Sequence, residues 1–166
     1  MRSVQRTARF VIGAATAGCL LAGCTPESGG VTGISVDAEG QPVAVIAMCE
    51  GAVDSLILYT DSAGEEVVAE WETSESIDAL DQVNLRTPAR PWKVVATMPA
   101  LEEGETYVLY GATVDNDWSS AHVEFSTASL RKLSPDLVLT HVYNETTDSD
   151  EDHVSQSATF REDMCS

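Results

Sequence analysis

Leu101-Glu102-Glu103-Gly104-Glu105-Thr106-Tyr107, running on into Val108-Leu109-Tyr110-Gly111-Ala112, is the stretch that decides the fold. An acidic turn with a single glycine leads into apolar, β-branched and aromatic residues, which suits a pleated, half-buried strand. The same pattern recurs on both sides. Downstream, the polar loop Asp115-Asn116-Asp117-Trp118-Ser119-Ser120 separates the strand predicted over 106–114 from another over 121–127. Upstream, Trp92, Val94, Ala96 and Met98 alternate with Lys93, Val95 and Thr97. Earlier still come strands over 33–37, 42–49, 55–60 and 66–71, set apart by turns such as Ala38-Glu39-Gly40-Gln41 and Asp61-Ser62-Ala63-Gly64. The second of these is nearly continuous in apolar residues, with Val43, Val45, Ala47 and Cys49 on one face, as befits a strand in mid-sheet. Seven strands at this turn spacing predict an all-β, antiparallel sandwich.

Between the fourth and fifth strands, 72–91 is ambiguous. Ile77, Leu80 and Asn84 have helical spacing, Val83 and Leu85 suit an extended crossover, and Pro88 and Pro91 exclude a long helix. After residue 127 the sequence reads as an acidic C-terminal extension. Leu130, Leu133, Leu137, Val138 and Leu139 can pack along the sandwich, with Pro135 interrupting any helix between them. The polar, acidic stretch 144–152 predicts a solvated loop, and Phe160 and Cys165 offer an anchor beyond it.

The Leu-x-x-Gly-x-x-Tyr turn at 101–107 resembles the corner of fibronectin type III and related immunoglobulin-like domains. The resemblance spans roughly 33–127 and is carried mostly by the last hairpin. It implies a seven-stranded sandwich in which Tyr107 bonds back across the corner through its hydroxyl. Upstream the pattern departs from that family: the second strand has no tryptophan, and the 72–91 crossover is long.

The N-terminus supplies an address. Arg2, Arg6 and Arg9 precede an uncharged apolar run from Phe10 to Leu21, the order of a secretory signal and too short for a permanent membrane span. The run ends in Leu21-Ala22-Gly23-Cys24, which resembles the bacterial lipobox. That resemblance implies cleavage before Cys24, a diacylglycerol on its thiol, and anchoring on the extracytoplasmic face of the cell membrane. The competing readings are an ordinary signal cut after Gly23, or one cut near Ala15-Thr16-Ala17. The chain then divides into a signal peptide (1–23), a lipidated tether (24–32), the sandwich (33–127) and the extension (128–166). With Pro26-Glu27-Ser28-Gly29-Gly30 read as flexible, the body should sit within roughly 30 Å of the bilayer. The lipobox, the cysteines and the acidity together resemble small exported lipoproteins of actinobacteria.

Cleavage removes three of nine basic residues and none of the 27 acidic ones, leaving a net charge of −21 on the mature chain. Such a surface repels nucleic-acid phosphates and anionic lipid headgroups. Its ordinary use is solubility; its sharper use is docking a cationic partner. With Cys19 removed and Cys24 lipidated, Cys49 and Cys165 remain, and an even pair in an exported chain predicts a disulfide.

Sequence motifs for chemistry are sparse. Asp148, Asp150, Glu151 and Asp152 lack the glycine that a calcium loop needs for its sharp turn. His122, His141 and His153 are scattered, so neither a metal nor a cofactor is expected. No nucleophile elbow or glycine-rich phosphate cradle is present. Trp118, a large aromatic in a polar loop, is the candidate binding residue, with the 50–54 loop as its expected neighbour. The expected role is a non-catalytic interaction module at the envelope, meeting a protein or a glycan. The alternative is an envelope enzyme whose site assembles only in three dimensions.

Overall fold

The 101–107 turn closes as its residues imply. Gly104 takes φ +86°, a conformation that a side chain resists, and the Glu102 N–H donates to the Tyr107 hydroxyl at 2.9 Å. The structure, a computed structural model, describes residues 26–61, 66–144 and 146–166. The signal segment, Cys24 and the turn residues Ser62, Ala63 and Gly64 lie outside the described residues.

The chain is all-β. In order it forms β1 (Glu27–Val36), β2 (Pro42–Met48), β3 (Val53–Thr60), β4 (Val67–Ile77), β5 (Leu80–Asn84), β6 (Trp92–Ala96) and β7 (Tyr107–Ala112). Then come β8 (Trp118–Ala121), β9 (Val123–Phe125), the single turn α1 (Thr127–Leu130), β10 (Leu137–Asn144), β11 (Ser149–Gln156) and α2 (Phe160–Met164). One run of neighbours is β5-β2-β1-β10-β11, and another is β6-β4-β3-β7 with β8 and β9 both on β7. The start of β1 joins the two runs by pairing parallel with β8, Glu27 opposite Trp118 and Val31 opposite Ala121. The result is one hydrogen-bonded network of eleven strands, curled almost into a barrel.

The core lies between the two runs. Ile34 of β1, Ile46 and Met48 of β2, Leu56 and Leu58 of β3, Trp71 of β4 and Leu109 of β7 are all fully buried there. The reason β2 reads as continuously apolar is now plain, since both of its faces are covered. Ala44, Ile46 and Met48 face the main core, while Val45 and Ala47 pack with Val138 of β10 and Phe160 of α2. A disulfide between Cys49 and Cys165, Cα atoms 5.3 Å apart, pins α2 over that outer face. The extension is therefore tied to the body through β10, Phe160 and this bond.

Several expectations need correction. The described residues form eleven strands rather than seven. The stretch 24–32 is not all tether, because β1 begins at Glu27. Gly30 is there for close packing: a Cβ would come within 2.4 Å of the Ala47 carbonyl oxygen. Within 72–91, β4 continues to Ile77 and β5 pairs with β2, so the spacing of Ile77, Leu80 and Asn84 reflects no helix. Val83 and Leu85 bury at strand period instead. The stretch 144–152 is largely hairpin rather than loop, with β10 and β11 paired from Leu137 opposite Gln156 to Asn144 opposite Ser149. Its residues look loop-like because this part of the hairpin is exposed; the backbone ladder and the side-chain bonds to β10 hold β11 extended.

Candidate functional site

Trp118 lies where two loops meet. The loop from 113 to 118 is built by Thr113, whose hydroxyl accepts the N–H groups of Asp117 at 2.9 Å and Trp118 at 3.0 Å. Its carbonyl accepts from Asn116 at 2.9 Å, with Asn116 itself at φ +63°. Bonds from the Thr113 hydroxyl and from the Asp117 N–H hold the exposed Asp115 carboxyl below its ordinary range. This loop is pre-set.

The second loop follows the disulfide. Gly51 takes φ +63°, and a Cβ on it would stand 2.2 Å from Trp118 Cδ2. A Cβ on Gly29 would stand 2.7 Å from Trp118 Cε3. The indole is thus seated flat on glycine backbone, half-buried, rather than free in a polar loop as the sequence suggests. Asp54 ties the two loops together by accepting the Val114 N–H at 2.9 Å. The structure therefore brings Trp118 and the 50–54 loop to one end of the sheet, as the sequence reading places them. It adds Val114, which is 73% exposed beside the acidic residues Asp115 and Asp117. The sequence places Val114 at the end of the strand predicted over 106–114, but β7 stops at Ala112, which leaves Val114 in the loop.

A second cluster lies apart from that end. His122 and Glu124 flank Val123, so their side chains leave the same face of the extended chain. His141 of β10 comes beside them, its ring centroid 6.4 Å from that of His122. The histidines are therefore not all scattered, because β10 lies across from β9 although 17 residues separate Glu124 from His141 in sequence. His153 does stay away, opposite Thr140 in the hairpin register. The nearby carboxylates have partners of their own. Asp152 meets His141, Glu151 accepts from the Asn144 amide at 2.8 Å, and Asp148 accepts the Tyr143 hydroxyl, which raises the phenol above its usual range.

A cleft of about 820 Å³ lies beside β6 and is lined by Ser74, Glu75, Arg90, Pro91, Trp92 and Lys93. Trp92 forms its wall, fixed by an indole bond to Asp81 at 2.7 Å. Among the described residues no helix is long and apolar enough to cross a membrane. Compared with known proteins, the chain matches no family model, no curated sequence and no solved structure.

Proposed function

We propose that this protein is a lipid-anchored envelope lipoprotein whose body is a non-catalytic interaction module of immunoglobulin or fibronectin III-like type. The fold reading is supported by the pairing order: β1, β2 and β5 face β4, β3, β7 and the β8–β9 strand, with the tyrosine bond at the expected corner. The remaining strands extend this frame: β6 borders β4, and β10–β11 borders β1.

The observation that carries the functional reading is the rigid end formed by Trp118, Val114 and Gly51. An exposed valine in the same pre-set loop as a fixed indole offers apolar contact area at low entropy cost, with Asp115 and Asp117 in the loop beside it. That arrangement fits a partner with a basic segment. Its position narrows the partner further. Glu27 donates its N–H to the Asp117 carbonyl at 3.0 Å, and Glu27 is only three residues beyond Cys24. At about 3.5 Å per extended residue, a lipid on Cys24 holds this end within about 10 Å of the bilayer surface. The partner is then a protein exposed at that same membrane surface.

The test is a photo-crosslinker at position 114 in intact cells, with one at exposed Val95 on the far edge strand β6 as the comparison. Position 114 should trap a specific membrane-associated protein that position 95 does not. Val114→Arg should weaken that capture at least tenfold while changing stability by less than about 0.5 kcal/mol, as for most surface changes. Equal products from both positions would reject this end as the docking surface.

A further inference from the structure

We infer that His122, Glu124 and His141 form a binding site for a zinc-class divalent transition metal. Their ligand atoms, one from each residue, all lie within 4.8 Å of one another. Two imidazole nitrogens and one carboxylate oxygen are the donor set that zinc and its neighbours prefer, whereas calcium and magnesium want a shell of oxygens.

The carboxylate behind His141 supports the same reading. Asp152 sits opposite His141 in the β10–β11 register, and its carboxylate is 2.8 Å from His141 Nε2. The Glu124 backbone N–H lies 3.3 Å from His141 Nδ1, so Nδ1 carries the lone pair and Nε2–H is given to Asp152; a metal on Nδ1 takes that lone pair and displaces the long Glu124 N–H bond. A carboxylate that orients a ligating histidine from behind is the usual partner of a metal-bound imidazole. The His141 side chain is only 11% exposed, which limits its motion to the small shift that releases Nδ1 from the Glu124 N–H. The other two are adjustable: His122 and Glu124 are 44% and 45% exposed, with His122 Nε2 3.8 Å from Glu124 Oε1.

The closure required is small. Ligands at about 2.0 to 2.1 Å around a tetrahedral ion lie about 3.3 Å apart. Rotation of the half-exposed His122 and Glu124 side chains, with release of His141 Nδ1 from the Glu124 N–H, supplies the remaining gap of about 1.5 Å. Three protein donors leave a fourth position to water. The mature charge of −21 raises the local concentration of any cation, and the histidine pair makes the selection among them.

Calorimetric titration of the full-length chain in detergent with zinc chloride, under excess calcium, tests the site. One equivalent should bind. His122→Ala and His141→Ala should each weaken binding at least 100-fold, and Glu124→Gln and Asp152→Asn about 10- to 100-fold. His153→Ala should leave affinity unchanged. If a variant folds poorly, NMR of the wild-type protein still decides: zinc should shift the ring resonances of His122 and His141 and not those of His153. Displacement of zinc by calcium, unchanged affinity after loss of both histidines, or shifts confined to His153 and the acidic hairpin would each overturn the proposal.

Discussion

Replacing Cys49 and Cys165 together with serine should cost about 4 to 5 kcal/mol of folding stability, the chain-entropy value for a loop of this length. The bond closes 116 residues, nearly the whole described body. Its loss has a structural side as well. α2 is five residues long, too short to persist alone, and is held by Phe160 in a small cluster with Val45, Ala47 and Val138. Without the bond this cap should open more often, and limited proteolysis should cut between 157 and 166 before the body is attacked. Denaturant titration measures the loss, and intact mass with and without reduction tests for the bond in the native protein. Two alkylatable thiols in the unreduced protein, or a loss below about 1 kcal/mol, would contradict this.

Trp71→Ala should be nearly as damaging, about 3 to 5 kcal/mol. Trp71 is the largest fully buried side chain, and it fills the space between β4 and the opposing strands. Its indole N–H has no hydrogen-bond partner among the described residues, so the energy here is packing and not hydrogen bonding. Trp71→Phe should therefore recover more than half of the loss, because it keeps an aromatic ring and removes a buried unpaired donor. Equal destabilisation by both variants would show that the N–H matters after all.

The parts of this fold legible in the sequence are those where local chemistry and tertiary need agree. The 101–107 turn, the apolar β2 strand and the Cys49–Cys165 pair are of that kind, since each residue type has one obvious use. The parts that misled are those set by distant backbone. Gly29 and Gly30 look like linker residues, yet both lie in β1, where Glu50, Ala47 and Trp118 leave no room for a side chain. Gly51 and Trp118 belong together, although 67 positions separate them and no local pattern links them. β11 carries Asp150, Glu151 and Asp152, a composition that argues for solvent, and its backbone ladder to β10, with Asp152 and Glu151 bonded to His141 and Asn144, makes it a strand. His122 and His141 are invisible as a pair for the same reason: the approach of β10 to β9 is a property of topology, not of spacing.

Anchoring through Cys24 underlies both the location and the membrane-facing end proposed for this protein, and one measurement reaches it directly. Mass spectrometry of the N-terminal peptide from membrane-extracted protein should find Cys24 as the first residue, carrying a diacylglyceryl group. Cys24→Ala should instead accumulate as an uncleaved precursor still beginning with the signal segment. A Cys24→Ala protein with the same mature N-terminus and the same membrane partition as wild type would contradict lipid anchoring.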